Sequence, residues 1–201
     1  MHLHPNFAQP DRAQNLQLAQ DVGFGTLALN AARGPLLSHL PFHLEGDVVE
    51  LHLTRPNPIL RELTDPAPAV LSVLGPNGYI SPDWYGIADQ VPTWNYIAVH
   101  LRGRLEKAEP EALPGMLDRL SAEFEARIAD KPQWTRGKMP QDLQNRMFRQ
   151  MMPCRLHIEE VTGIWKLNQN KPDEVRLRAA DHVQDGALAD VMRAASVPPK
   201  E

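Results

Sequence analysis

From Phe24 to Lys107 the apolar residues fall in short runs or alternate with polar ones, and Gly, Pro, Asn or Asp interrupts them every few positions. Period-two alternation between such breaks predicts strands rather than helices. Ahead of that region, Asp11 suits the N-cap of a helix carrying Ala13, Leu16, Leu18 and Ala19 as far as Asp21, with Gly23 ending it. Phe24–Leu29 is predicted as the first strand. Arg33-Gly34-Pro35 turns into a second strand, Leu36–Leu44, and Glu45-Gly46-Asp47 turns into a third, Val48–Thr54. Two hairpin signals in succession predict an antiparallel meander of these three.

Arg55-Pro56-Asn57-Pro58 breaks the sheet and Ile59–Leu63 reads as a short helix. The apolar strand Ala69–Leu74 is expected to be interrupted at Gly75-Pro76-Asn77-Gly78 and to resume at Tyr79-Ile80-Ser81. After a loop from Tyr85 to Gln90 comes the longest strand, Thr93–Lys107, where Gly103 suggests a bulge or a sharp bend. Pro110 opens the clearest helix, with Leu113, Met116, Leu117, Leu120 and Phe124 at helical spacing. A helix over Gln141–Met151, a last strand over Arg155–Lys166 and one or two amphipathic helices over Pro172–Ala195 complete the chain. About six strands with a helical insertion before the last predict a mainly β fold, an antiparallel split barrel that leaves few open edges. The expected organisation is a barrel domain over residues 1–170 and a C-terminal helical extension over 171–201 that packs on it.

Composition adds limits. The 201 residues are 42% apolar and 23% charged, the usual balance of a globular domain. Twenty-one Lys and Arg against 25 Asp and Glu leave a net charge of −4, and the basic residues are scattered. This gives no electrostatic footprint for duplex DNA, and no helix-turn-helix pattern is present, so direct DNA binding is not expected. One cysteine, Cys154, excludes an intramolecular disulfide. There is no secretory leader pattern and no long apolar run, which predicts a cytoplasmic protein without a membrane span.

Among the eight histidines, His39 and His43 lie four apart. On a strand that spacing is roughly 13 Å, well beyond the roughly 4 Å that ligands of one metal allow, so no metal site is predicted. Glycine-rich dinucleotide and P-loop signatures are missing, as is a nucleophile elbow. A phosphate must then be held by side-chain donors, and His52-Leu53-Thr54-Arg55-Pro56-Asn57-Pro58 offers these where a strand yields to a short helix whose N-terminus favours anions. A polar turn is the plainer reading of the same residues. Aromatic residues are only 6% of the chain, yet Tyr79, Trp84, Tyr85, Trp94 and Tyr96 fall within twenty positions, mixed with Ser81, Thr93 and Asn95. Such a mixture suits a planar heteroaromatic ligand or a dimer interface.

These stretches resemble the PaiB-type family of FMN-binding negative transcriptional regulators. The similarity begins at His4-Pro5-Asn6-Phe7 and runs through Phe24-Gly25-Thr26, Ser38-His39-Leu40-Pro41-Phe42 and Asn57-Pro58. It is most specific at Tyr79-Ile80-Ser81-Pro82-Asp83-Trp84-Tyr85 and at Val91-Pro92-Thr93-Trp94-Asn95-Tyr96 with Val99-His100. It closes at Lys166-Leu167-Asn168-Gln169-Asn170-Lys171, where Asn168 stands in place of the family's more usual Ser. The resemblance implies an FMN-binding split barrel that forms a homodimer with the flavin at the subunit interface. It implies Ser38, His39, Thr54, Arg55 and Asn57 near the phosphate and ribityl chain. Ser81, Tyr85, Thr93, Trp94 and Asn95 would approach the ring or interface, and Lys166, Gln169 and Asn170 would close the site. The family's role is transcriptional repression, with no catalytic residue needed. The alternatives are an FMN-dependent oxidoreductase resembling flavin reductases, in which the flavin carries the chemistry, and a haem-binding or haem-degrading relative.

Overall fold

The computed structural model describes Phe7, residues 11–64 and residues 66–195. Its elements are α1 (Arg12–Val22), β1 (Phe24–Leu29), β2 (Leu36–Pro41), β3 (His43–Glu45), β4 (Val48–Thr54), α2 (Pro58–Glu62), β5 (Ala67–Ile80), β6 (Thr93–Lys107), α3 (Leu113–Glu125), α4 (Gln141–Phe148), β7 (Met151–Lys166), α5 (Asp173–His182) and α6 (Gly186–Ala194). The expected start of the family resemblance, His4-Pro5-Asn6, lies outside the described residues.

Seven strands, one more than expected, form one sheet in the order β2-β1-β5-β6-β7-β4-β3. Both predicted hairpins form: β1 pairs antiparallel with β2, and β3 with β4. They do not make a meander. The expected strand Leu36–Leu44 divides at Phe42, and its halves lie at opposite ends of the sheet order. A single residue joins the two edges, so the sheet curls on itself as a split barrel. Phe42 is fully buried and its N–H donates to the Gly23 carbonyl at 2.9 Å, which fixes the corner.

Three further expectations are corrected. The strand thought to break at Gly75-Pro76-Asn77-Gly78 runs unbroken as β5. The helix expected to reach Met151 stops at Phe148, and the last strand starts earlier, at Met151, because residues 151–154 pair with Leu51–Thr54 of β4. At Gly103 an added Cβ would collide with the His157 carbonyl, so the glycine marks a close backbone approach within a continuous strand.

The chain divides into two compact units. The first comprises Met1–Leu18, Val73–His100 and Val161–Glu201. Its core gathers Ile80, Tyr85, Ile97 and Leu167 with Val175, Ala179 and Ala180 of α5 and Leu188 and Met192 of α6. The helices after residue 170 are thus part of a core that also holds strand residues. Each large apolar side chain buried there contributes about 1.5–3 kcal/mol. Asn15 of α1 is buried in this unit, accepts from Trp165 Nε1 at 3.1 Å, and occupies the space a side chain at Gly163 would need.

The second unit comprises Ala19–Ser72 and Leu101–Glu160. Leu27, Leu40, Phe42, Leu51, Leu53, Leu71, Leu101, Leu105 and Leu156 are buried in it, alternating along their strands as period-two packing requires. Helix α3 buries Leu113 and Met116 and adds ionic ties: Arg119 to Glu50 at 2.6 Å, and Glu123 to His43 at 2.7 Å. Among the described residues no helix is long and apolar enough to cross a membrane, and no cluster of His, Cys, Asp and Glu could hold a metal.

Candidate functional site

The expected phosphate residues fall in the second unit, where Asn57 links Ser38 to the end of β4. Ser38 faces the same side of β2 as buried Leu40, and its Oγ accepts from Asn57 Nδ2 at 3.0 Å. Because that hydroxyl accepts from Asn57, its own hydrogen is left to donate elsewhere. Asn57 Oδ1 accepts from the Ile59 N–H at 2.9 Å, and the Asn57 N–H donates to the Thr54 carbonyl at 2.8 Å. Asn57 is therefore the N-cap of α2, and its own carbonyl oxygen occupies an amide that the sequence offered to an anion. What remains for an anion is the Thr54 hydroxyl and the guanidinium of Arg55, both exposed, and the Ser38 O–H.

Arg55 is anchored at its base. Its backbone N–H donates to the Gln150 carbonyl at 2.9 Å and its Nε to the Arg149 carbonyl at 2.7 Å. A tethered Nε orients the two Nη groups, and a planar fork of donors is the geometry that binds phosphate oxygens best. His39 stands apart from this group. Next to Ser38 on a strand, it points to the opposite face, where Nδ1 pairs with Thr26 Oγ1 at 2.8 Å.

The other expected residues lie in the first unit, where they take different parts. Trp94 is half exposed. Its Nε1 donates to Asn77 Oδ1 at 3.3 Å, and its ring meets that of Tyr79 edge-on at a centroid distance of 6.4 Å. Thr93 Oγ1 accepts from Lys166 Nζ at 2.6 Å, and the same ammonium lies 5.6 Å from the Phe7 ring centroid. Burial holds the Lys166 pKa below the usual lysine value. Asn170 is exposed.

Ser81, Tyr85 and Asn95, expected at the ring or interface, and Gln169, expected to close the site, all make contacts within the frame of the first unit. Ser81 caps the helical turn Pro82–Tyr85 through the Asp83 N–H. Tyr85 is fully buried; its hydroxyl meets the Asn168 side chain, its carbonyl accepts from Arg178, and Lys171 Nζ sits 4.6 Å from its ring centroid. Burial raises the Tyr85 pKa, with the Asn168 hydrogen bond opposing it. Gln169 folds back on its own chain, accepting from the Leu167 N–H at 2.8 Å and donating to the Trp165 carbonyl at 2.6 Å. Asn95 is completely buried against Met192 Sδ at 3.5 Å, and its Oδ1 has no partner among the described residues.

Sequence reasoning missed Asn77 and Tyr79 as the partners of Trp94. Their spacing of two is the signal that finds them once β5 is read through Pro76 instead of being stopped there.

A curled antiparallel sheet of seven strands with helices inserted around it defines the flavin-binding split-barrel class. Solved structures agree on the fold. The FAD and haem binding protein of Mycobacterium smegmatis matches with a TM-score of 0.58 at 23% identity, over 79% of this chain and 73% of that one. The flavocytochrome Anf3 of Azotobacter vinelandii matches with a TM-score of 0.51 at 18% identity, over 78% of this chain and 67% of that one. Within this class the chain belongs to the family described as "Putative FMN-binding domain", whose model matches residues 1–160. A relative, "Protease synthase and sporulation protein PAI 2" of Bacillus subtilis (strain 168), is 25% identical over 186 residues, covering 90% of this chain and 88% of the relative.

Proposed function

We propose that the protein binds FMN as a homodimer and serves as a flavin-dependent regulatory protein, the role its resemblance to the PaiB-type regulators implies. The observation that carries the reading is the donor set of the second unit. Arg55 is oriented by two backbone carbonyls, with the Thr54 hydroxyl beside it in sequence and the Ser38 hydroxyl able to donate. A phosphate needs convergent, partly charged donors of this kind. Asn57 takes part as a positioning residue that holds Ser38 and the start of α2. Bound FMN would supply one- or two-electron redox chemistry, and the chain's own part is to bind and orient it.

The dimer is supported by apolar residues left in the open. Leu74, Tyr79, Ile87, Val91 and Trp94 of the first unit are all large and exposed, Val91 at 74%. A concentration of that kind is the usual mark of a protein interface.

The test is an absorbance and fluorescence titration of the purified protein with FMN, alongside Arg55→Ala. A hydrogen bond to a charged group is worth about 1.5–3 kcal/mol, so the variant should bind FMN about 10- to 100-fold more weakly. Equal affinity in the two proteins would refute the phosphate assignment.

A further inference from the structure

The helical insertion between β6 and β7 lines a partly open pocket of about 160 Å³. Leu117, Trp134, Met139, Met147, Phe148 and Met151 form its apolar wall. A volume of about 150 Å³ walled by apolar side chains accepts one benzene ring. The space suits a single ring. Three methionine thioethers favour an aromatic occupant, because sulfur packs well against ring edges.

Polar groups at the wall define the rest of the ligand. Arg136 grips Asp118 with two bonds, at 2.8 and 2.6 Å, and reaches Gln144 Oε1 at 3.0 Å. Buried Gln144 donates in turn to the carbonyls of Arg136 and Met139. The Arg136 bond holds the Asp118 carboxyl below its usual pKa, so both partners stay charged and matched. The charges at the wall are therefore occupied with each other, and a neutral ligand is favoured. The Ser121 hydroxyl also lines the cavity and has no hydrogen-bond partner among the described residues. It can serve one polar substituent on the ring.

The same wall reaches the Arg55 anchor. Met147, Phe148 and Met151 flank Arg149 and Gln150, whose carbonyls hold Arg55, and Met151 pairs with Thr54. We propose that this cavity is a second ligand site, for a neutral single-ring aromatic molecule with one hydrogen-bonding group, and that its occupancy is transmitted to Arg55 through the junction of α4 and β7. The ligand site itself stands without flavin; only the consequence of moving Arg55 rests on the function proposed above.

The experiment is NMR of the flavin-free protein labelled at the methionine methyls and the arginine Nε, titrated with p-cresol. The chain has seven methionines. Signals of Met139, Met147 and Met151 should shift in a saturable way while those of Met116 and Met192 stay, and the Arg55 Nε–H signal should move with them. Ser121→Ala should weaken p-cresol about fivefold, the worth of one ordinary hydrogen bond, and leave toluene binding unchanged. Cavity methyls that stay still at ligand concentrations on the order of 10 mM, or methyls that all drift alike, overturn the site. Saturable methyl shifts with a fixed Arg55 signal overturn the transmission. Failure of FMN to bind leaves all of these readouts intact, so the two proposals fail separately.

Discussion

At the scale of single residues, Asn168 shows how backbone conformation suits a residue type. Its φ is +65°, a left-handed conformation that Asn tolerates better than most residues, and its amide reaches the Tyr85 hydroxyl in the core. That φ was not visible in the sequence, because it depends on how β7 leaves the sheet. The candidate phosphate residues Ser38, Thr54 and Arg55 stood out in the sequence because they fall in short motifs, with Asn57 among them as the N-cap of α2. His39 illustrates the limit of that reading, because adjacent strand residues face opposite ways and a motif does not say which face carries the site. His52 gives a prediction at this scale. Burial lowers its pKa below the ordinary value of 6.5, so the unfolded chain takes up a proton that the native state resists. Stability should therefore rise with pH between the lowered native value and 6.5, and should be lost as pH falls through that window. Urea midpoints measured across mildly acid pH should show this slope, and His52→Gln should flatten it. An unchanged slope would rule out His52 as its source.

At the scale of elements, the strands and helices were readable from period and punctuation, while their order in the sheet was not. The two hairpins rest on local turns at Gly34 and Gly46, which sequence displays. The separation of β2 from β3 rests on Phe42 turning a corner and on β7 pairing with β4, whose partners lie 97 to 109 residues apart along the chain. Pro76 misled because proline cannot donate to a ladder, yet it is accommodated within β5. Gly103 was read as a bulge or a sharp bend, whereas it marks a close backbone approach in a strand that runs on unbroken. An alanine at Gly103 would press on the His157 carbonyl, which is backbone and cannot rotate away. Gly103→Ala should therefore destabilise by about 2 kcal/mol or more, the scale of overpacking a closed core. Gly186 begins α6 with open space around it, and Gly186→Ala should be neutral or stabilising by about 0.4–1 kcal/mol. Denaturation midpoints of the two variants should thus move apart; equal midpoints would contradict the close approach of β6 and β7.

At the scale of the whole molecule, the split barrel and its family were within reach of the sequence because the motifs are specific and in order. The apolar exposure of the first unit was only half legible: the aromatic cluster stood out, but the exposure of Leu74, Ile87 and Val91 is set by the folded backbone. If Trp94 meets a second copy, Trp94→Glu should convert the dimer to a monomer in sedimentation velocity while far-ultraviolet circular dichroism stays unchanged. A variant still dimeric would place the interface elsewhere. The central claim, that this chain holds a phosphorylated flavin by its phosphate, is tested most directly by titrating the wild-type protein with FMN and with riboflavin under identical conditions. The ring is the same in both, so the difference isolates the phosphate. Losing the charge-assisted bonds of Arg55 and its neighbours should weaken riboflavin at least about tenfold relative to FMN; equal affinities for the two would contradict the account.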